Sequence, residues 1–247
     1  MHSNITCSNI LDINWHNGND CDFNIDGAVN VWQISITSNI LAVNDFLELL
    51  SADERARASR YYQQKDRERF IISRGVLRVL LGWYLKISAT EIVFEIGINK
   101  KPFVKSTDDT VLHYNTTHSG DYILIAIAAL PVGVDAENME PLFPYQEILE
   151  HSFNPDEIAY INQSDTSIET FYTLWTRKEA LLKATAKGID DNMKFVPCID
   201  GKYNIESSLI GSNQNWFVSS FNINHSYIGS VATLIGDIKF WTFEPLI

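Results

Sequence analysis

Apolar and polar positions alternate in some segments of the chain and form continuous apolar runs in others. Residues 31–37 alternate, which predicts a strand with one buried face. Residues 122–130 are apolar on both faces, as expected of a buried central strand, and residues 133–137 continue it after a Pro-x-Gly break. Further strands are predicted at residues 91–97, 216–234 and 238–243.

The first helical region begins at a capping box. Ser51 is the expected N-cap and Glu54 the residue that bonds back to it. The region extends to about residue 86, with a break near residues 62–65. Residues 51–78 contain eight of the nineteen basic residues of the chain, and most of these fit a solvated helix face.

A second capping box is predicted at Thr166 and Glu169, and Gly188 is expected to follow the end of its helix. Strands and helices therefore occur in two rounds. This order predicts an α+β fold with two similar lobes in a pseudo-two-fold arrangement. We place the N-terminal lobe at residues 1–130 and the C-terminal lobe at residues 131–247.

The acidic residues are concentrated in the middle of the chain. The 247 residues carry a formal net charge of −12, and residues 106–176 contain twelve carboxylates but no lysine or arginine. Such a field argues against binding to nucleic acid or to an anionic membrane, because both require a basic surface. No signal peptide, membrane span, disulfide framework or zinc spacing is recognisable, so we expect a reduced cytoplasmic protein.

Asp135 and Glu137 are the first candidates for chemistry. They lie two residues apart, so on an extended backbone both side chains point to one face. Neighbouring carboxylates repel each other, and a shared cation or a trapped proton relieves the repulsion. An isolated Asp-x-Glu is usually solvated surface, but this pair ends an apolar strand beside Gly133. That position favours a functional role, and the oxygen ligands suit Mg²⁺.

The second predicted helix carries two lysines of interest. Lys178 falls on its apolar face, between Trp175 and Leu182. Glu179 and Lys183 lie one turn apart at the edge of that face, where an ordinary exposed ion pair would also explain them. A lysine in an apolar stripe needs an anion or a route to solvent. We therefore expect phosphate at both lysines and metal at Glu179.

Two further segments suggest phosphate recognition. Lys101 and Pro102 lie in a predicted turn, where a rigid proline and a basic side chain could hold a ligand. Thr117, His118 and the Ser-Gly that follows them combine hydroxyls, an imidazole and free backbone N–H groups. Together the segments indicate a ligand with several phosphates and a divalent metal.

These segments resemble the motifs of the Sfp-type 4′-phosphopantetheinyl transferase family. Residues 133–137 and 175–183 are similar to its paired signatures, G-[IV]-D-x-E and W-x-x-K-E-[AS]-x-x-K. The Lys-Pro turn and residues 115–120 resemble its K-P and N-x-S-H-S-G elements, and residues 51–78 its first basic helical region. The length resembles that of the two-lobed, pseudo-dimeric members, which implies a monomer, rather than that of the short trimeric holo-acyl-carrier-protein synthases.

The resemblance implies that 4′-phosphopantetheine is transferred from coenzyme A to a serine of an acyl or peptidyl carrier protein, with release of adenosine 3′,5′-bisphosphate. Mg²⁺ would be held by Asp135, Glu137 and Glu179. Glu179, Lys183 and His118 would be catalytic. The residues expected to contact coenzyme A are Arg57, Lys65, Arg69, Lys101, Pro102, Thr117, His118, Lys178 and Lys183.

The resemblance implies that different residues of this set contact different parts of coenzyme A. Lys178 and Lys183 would contact the pyrophosphate, and Thr117 and His118 a phosphate of the nucleotide end. Lys101 and Pro102 would flank the adenine and the 3′-phosphate, helped by a base of the first helical region. Arg57, Lys65 and Arg69 remain alternatives for that base. Thr117 replaces the usual serine of the family but keeps the hydroxyl.

Glu179 is the expected base for the serine, acting directly or through a metal-bound water. The direct route is weakened because a cation lowers the pKa of a carboxylate that binds it. Two other functions remain open: a Mg²⁺-dependent phosphohydrolase, and a non-catalytic module that binds coenzyme A or a carrier protein. The first would normally need more ligands for a second metal, and the second would not need three carboxylates.

Overall fold

The computed structural model describes residues 1–97, 99, 101–105 and 111–244. Within these ranges the strands form two β-sheets. The larger sheet has, in spatial order, β2 (His16–Asn17), β12 (Ile238–Thr242), β3 (Val29–Ser35), β7 (Tyr122–Ala128), β6 (Val111–Ser119), β5 (Pro102–Lys105) and β4 (Phe94–Ile96). The smaller sheet has β8 (Val132–Asn138), β11 (Tyr227–Thr233), β10 (Asn215–Asn224), β1 (His2–Asn9) and β9 (Gly201–Glu206).

The α-helices occur in two groups along the chain, one between β3 and β4 and the other between β8 and β9. The α-helices are α1 (Ile36–Asn39), α2 (Val43–Leu49), α3 (Ala52–Ala58), α4 (Gln64–Leu85), α5 (Leu149–Ser152), α6 (Pro155–Gln163) and α7 (Ser167–Thr185). In the described part of the chain, no helix is both long and apolar enough to cross a membrane.

The elements stack in four layers. Apolar residues of α4 pack on one face of β3 and β7, and the opposite face of those strands packs on β8 and β11. Helix α7 covers the outer face of the smaller sheet, where Leu181 and Leu182 meet Val218 of β10. Each sheet is therefore buried between its own long helix and the other sheet. The α+β class and the pseudo-two-fold arrangement are confirmed.

The two ends of the chain cross between the halves. Strand β1 pairs in parallel with β10 in the smaller sheet, and β12 pairs in parallel with β3 in the larger one. Each terminal strand thus lies in the sheet formed mainly by the opposite half. The division into lobes at residues 1–130 and 131–247 stays a prediction, and the sheets do not follow that boundary.

The helix termini agree with expectation in the first half only. The capping box of Ser51 and Glu54 is present, and the break falls between α3 and α4. The second predicted box is wrong, because the Thr166 side chain makes no capping hydrogen bond to α7. The helix also ends before Gly188, at a left-handed Ala186 with φ 57°. The prediction of a strand over residues 91–97 is too long, since β4 covers only its end.

Candidate active site

The candidate site lies where β6 of the larger sheet faces β8 of the smaller one. The Thr117 hydroxyl donates to Asp135 Oδ1 at 3.0 Å, and the Ser119 hydroxyl donates to Glu137 Oε2 at 2.9 Å. Side chains two residues apart on β6 therefore face carboxylates two residues apart on β8. As the alternation predicts, Asp135 and Glu137 lie on one face of their strand.

Gly133 allows helix α7 to lie directly against β8. A Cβ atom at this position would come within 2.1 Å of the Ala180 carbonyl oxygen and 2.4 Å of the Ala184 nitrogen. Any side chain here would push the helix away from the strand. The glycine of the Gly-Val-Asp-Ala-Glu segment is thus what brings Glu179 and Lys183 over the carboxylates of β8.

Asp135 is the most buried charged group of the site. Its side chain is 3 % exposed, and Oδ1 accepts from the Lys183 ammonium at 2.5 Å. The second oxygen, Oδ2, is buried and has no hydrogen-bond partner. Burial raises the pKa of Asp135 to about 7, against the opposing effect of Lys183. A buried acceptor without a donor is costly, so this oxygen calls for a ligand.

Two more carboxylates lie close to Asp135. Glu179 approaches the Lys183 ammonium at 3.3 Å. The pKa of Glu137 is raised by burial, and the charge of Glu179 raises it further. Burial acts to lower the pKa of Lys183, but Asp135 and Glu179 outweigh it and raise the value. One ammonium thus neutralises part of a group of three mutually repelling carboxylates.

The donor set fits a hard divalent cation. Among the residues that the structure describes, no three His, Cys, Asp or Glu side chains are already gathered into a metal-binding cluster. Glu179 is instead turned toward Lys183. The unpaired Oδ2 of Asp135 and the raised pKa of Glu137 nevertheless indicate uncompensated negative charge. Three carboxylates whose negative charge is not fully compensated match the oxygen ligands that Mg²⁺ prefers.

His118 is exposed on β6, between the inward-pointing Thr117 and Ser119. Desolvation and the nearby charge of Arg69 lower the pKa of His118. Arg69 itself pairs with Asp66 at 2.9 Å. Of the three bases considered for the nucleotide, Arg69 is the one whose charge acts on His118.

The other two candidates of the first helical region lie differently. The Arg57 guanidinium stacks on the Phe70 ring at 5.1 Å from its centroid, and Lys65 is exposed at the start of α4. Neither is among the groups that perturb His118. The choice of Arg57, Lys65 or Arg69 as a coenzyme A contact stays a prediction.

Lys101 has an environment that its sequence does not suggest. Its ammonium donates to three carbonyl oxygens: Val132 at 2.7 Å, Lys183 at 2.9 Å and Ala184 at 2.8 Å. All three donors of the side chain are therefore used within the protein. Burial lowers the pKa of Lys101 to about 8. The expected turn over residues 99–102 includes residue 100, which lies outside the described residues.

Lys178 is not brought to the site, and this corrects our expectation of a pyrophosphate contact. Its ammonium is fully buried and donates to Glu157 Oε2 at 2.8 Å and to the Met193 carbonyl at 3.1 Å. It also lies 5.0 Å from the centroid of the Phe153 ring. The anion that this lysine requires is thus a carboxylate of the protein itself.

Two cavities lie on either side of the carboxylates. One, of about 260 Å³, is lined by Lys101, Pro102, Glu179 and Lys183. The other, of about 210 Å³, is lined by Glu137 and by aromatic side chains that include Trp175. An extended ligand could therefore pass the carboxylates with one end in each cavity.

Sequence reasoning missed the hydrogen-bonding roles of Asn115, Ser119 and Glu157, although it had placed the Ser119 hydroxyl in an expected phosphate-binding segment. The signal for the first two was available, because Asn115, Thr117 and Ser119 share one face of β6 at a spacing of two. The signal for Glu157 was its position three residues after Asn154, which forms a capping box at the start of α6.

Comparison with known proteins gives consistent matches. A family described as the 4′-phosphopantetheinyl transferase superfamily matches residues 131–232, and one described as 4′-phosphopantetheinyl transferase, N-terminal, matches residues 37–130. The chain is 32% identical over 169 residues to the 4′-phosphopantetheinyl transferase HetI of Nostoc sp., covering 67% of this chain and 71% of that protein.

Two more relatives carry the same name. A Synechocystis sp. protein named as a 4′-phosphopantetheinyl transferase is 35% identical over 151 residues, or 60% of this chain and 61% of that protein. The alignment thus spans less than two thirds of this relative. The 4′-phosphopantetheinyl transferase Sfp of Bacillus subtilis is 25% identical over 187 residues, or 74% of this chain and 81% of Sfp. The chain belongs to the 4′-phosphopantetheinyl transferase family of enzymes.

Proposed function

We propose that this protein moves the 4′-phosphopantetheine group of coenzyme A to a serine of an apo acyl or peptidyl carrier protein and releases adenosine 3′,5′-bisphosphate. The observation that carries the proposal is the group of Asp135, Glu137 and Glu179 beside Lys183, in a chain of this family. A pyrophosphate diester with a divalent cation has the charge pattern that this group would complement.

Asp135, Glu137 and Glu179 are the proposed ligands of Mg²⁺. When bound, the cation would neutralise charge on the pyrophosphate of coenzyme A. The unpaired Oδ2 of Asp135 supports this assignment, because a cation would satisfy it.

Lys183 is the proposed stabiliser of the leaving group. Its ammonium bonds Asp135, and its side chain is 31 % exposed. A positive charge held in place in this way can act on negative charge that develops in the transition state. The Thr117 hydroxyl was expected to contact phosphate, but it accepts from Lys183 at 3.4 Å and donates its proton to Asp135, so its proposed role is to hold these two groups in place.

Glu179 is the proposed base. The carrier serine Oγ bonds to the phosphorus that bears pantetheine, and the bond from that phosphorus to the bridging oxygen breaks. The nucleotide leaves with the electron pair, and the serine proton passes to Glu179, directly or through a water molecule. Most of the acceleration would come from positioning and charge neutralisation.

The nucleotide end is proposed to occupy the cavity beside Pro102, with His118 and Arg69 at its phosphates. The exposed imidazole next to a basic side chain supports this placement. The pantetheine arm would then extend past Glu137 into the second cavity, whose aromatic lining suits an uncharged chain.

We further propose that the protein acts as a monomer in the cytoplasm. Two similar halves in one chain supply what separate subunits would otherwise contribute. Cys7, Cys21 and Cys198 are all free thiols, which suits a reducing compartment. The acidic middle of the chain argues against nucleic acid or membrane partners.

The test is a transfer assay with purified protein, coenzyme A, Mg²⁺ and a panel of apo carriers from fatty-acid, polyketide and peptide synthesis. We expect at least one carrier to gain the mass of one phosphopantetheine, measured by intact mass spectrometry. A carrier with the acceptor serine changed to alanine is the control. No mass gain on any carrier would overturn the proposal, and binding of coenzyme A alone would indicate a binding module.

A further inference from the structure

Strand β8, which carries two of the proposed metal ligands, is the edge strand of its sheet. It pairs with β11 on one side only. In an antiparallel pair, alternate residues turn their N–H and C=O groups away from the partner strand. An edge strand therefore presents a row of N–H and C=O groups that no neighbouring strand pairs. For β8 this matters, because a shift of the strand moves the carboxylates.

Three side chains from the opposite half bond to this open edge. Asn115 Oδ1 accepts from the Val134 N–H at 2.8 Å. The Ser119 hydroxyl oxygen accepts from the Asn138 N–H at 2.9 Å. The Lys101 ammonium donates to the carbonyl of Val132, the first residue of the strand, at 2.7 Å.

The spacing explains how side chains replace a missing strand. Val132, Val134 and Asn138 are separated by even numbers, so their backbone groups face the same edge. Asn115 and Ser119 are four residues apart on β6, as Val134 and Asn138 are on β8. The periods of the two strands therefore match, and the side chains of one fix the register of the other.

Two of these three residues also bond to elements that carry the proposed chemistry, the Glu137 side chain and the backbone of α7. The Ser119 hydroxyl donates to Glu137 Oε2 at 2.9 Å. Lys101 donates to the carbonyls of Lys183 and Ala184, in the last turn of α7. We name Lys101, Asn115 and Ser119 the β8 clasp.

We propose that the β8 clasp is a set of positioning residues that fixes Asp135 and Glu137 relative to α7. Its effect on catalysis rests on the proposed function, whereas the clasp itself does not. Asn115 and Lys101 also line the cavity proposed for the nucleotide. Direct contact with coenzyme A is therefore the competing explanation, and the test separates the two.

The test uses Asn115→Leu, which keeps the size of the side chain but removes the acceptor, and Ser119→Ala, with Ser119→Thr as the variant that restores a hydroxyl. Hydrogen exchange of the backbone amides is measured on the whole protein without substrate. We expect exchange about tenfold faster at Val134 in Asn115→Leu and at Asn138 in Ser119→Ala, since each amide loses its acceptor. Exchange at Ile125, in the core of the larger sheet, should not change.

The kinetic arm measures kcat, the KM for coenzyme A and the Mg²⁺ concentration that gives half the maximal rate. For Asn115→Leu and Ser119→Ala we expect kcat to fall and the Mg²⁺ requirement to rise, each about tenfold, the size that loss of a support to a metal ligand typically has. The KM for coenzyme A should change little, and Ser119→Thr should recover most of the activity. Asn4→Leu, an exposed position of the smaller sheet, is the matched control.

Unchanged exchange at Val134 and Asn138 would overturn the clasp. Faster exchange with unchanged kinetics would overturn its role in positioning. A rise in the KM for coenzyme A alone would instead identify Asn115 as a nucleotide contact. If the wild-type protein transfers nothing to any carrier, the proposed function fails while the exchange measurement still decides whether the clasp exists.

Discussion

Helix α7 carries two lysines five residues apart, and each bonds a buried carboxylate. Lys178 meets Glu157 at 2.8 Å, and Lys183 meets Asp135 at 2.5 Å. In sequence the two lysines belong to one motif, and the resemblance assigned both to the same pyrophosphate. In the structure they lie in different surroundings, and the difference is in the hydrogen bonds around each carboxylate.

The cluster of Lys178 and Glu157 is closed, by which we mean that both oxygens of its carboxylate have hydrogen-bond donors within the protein. Oε2 of Glu157 accepts from Lys178 and from the Asn154 N–H, and Oε1 accepts from the Cys198 N–H and thiol. The ammonium also reaches the Met193 carbonyl. Each oxygen of the carboxylate thus has two donors, which makes a buried pair tolerable.

The cluster of Lys183 and Asp135 is open, by which we mean that one oxygen of its carboxylate has no hydrogen-bond donor. Oδ1 has two donors, whereas Oδ2 is buried without any. Two further carboxylates, Glu137 and Glu179, share the charge of the single lysine. Burial and ion pairing are therefore common to both clusters, and the unbonded acceptor is what distinguishes a ligand site from a structural pair.

The largest expected effect is on transfer. Glu179→Gln and Lys183→Met should each lower kcat by about 10²- to 10³-fold, as loss of a group acting in the transition state typically does. Glu179→Gln should remain folded, because its side chain is only partly buried. Lys183→Met also leaves the buried Asp135 without its partner, so its rate is measured on protein shown to be folded by circular dichroism. Rates are measured by the mass of the carrier over time. Full activity in Glu179→Gln would show that Glu179 is not part of the active site.

The next effect is on stability, at the closed cluster. Lys178→Met should lower the free energy of unfolding by about 3–5 kcal/mol, because it leaves the Glu157 charge buried without its partner. Urea denaturation gives the value. The double variant with Glu157→Gln should recover part of the loss. If Lys178→Met instead unfolds at the wild-type urea concentration and loses only transfer, Lys178 belongs to the active site.

Asp135→Asn should change the free energy of unfolding by less than about 1 kcal/mol in the absence of metal. The amide keeps an oxygen for Thr117 and Lys183 while removing a buried charge, so the two effects oppose each other. The same denaturation experiment checks this. A loss as large as that of Lys178→Met would show that both clusters are structural.

The smallest expected effect is a change in how stability falls at acidic pH when Glu54 is replaced. Glu54 forms a second closed cluster with Arg74 and Arg78. Burial acts to raise the pKa of Glu54, but the Ser51 N–H and Arg74 outweigh it and hold the pKa below the ordinary value of 4.5. Its contribution to stability is therefore present above pH 4.5 and is lost as the pH falls below that value. Glu54→Gln should flatten the fall in unfolding temperature over this acidic range, and an unaltered profile would argue against the cluster.

The sequence predicted the features that depend on local pattern. Alternation predicted that Asp135 and Glu137 share a face, and the capping box predicted the start of α3 at Ser51. It also indicated that Lys178 needs an anion or a route to solvent, but the phosphate expected there was wrong, because the anion is Glu157. It could not identify the anion, since Glu157 lies 21 residues away on another helix. The crossing of β1 and β12 between the sheets and the bonds of Lys101 likewise depend on contacts distant in sequence.

The most direct test of the account is calorimetric titration of Mg²⁺ into the protein with coenzyme A present. The open cluster predicts one Mg²⁺ per chain for the wild type and for Lys178→Arg, which keeps the closed pair charged. It predicts no binding for Asp135→Asn, which loses the carboxylate that holds the unpaired oxygen. Equal Mg²⁺ affinity in the wild type and Asp135→Asn would contradict the account.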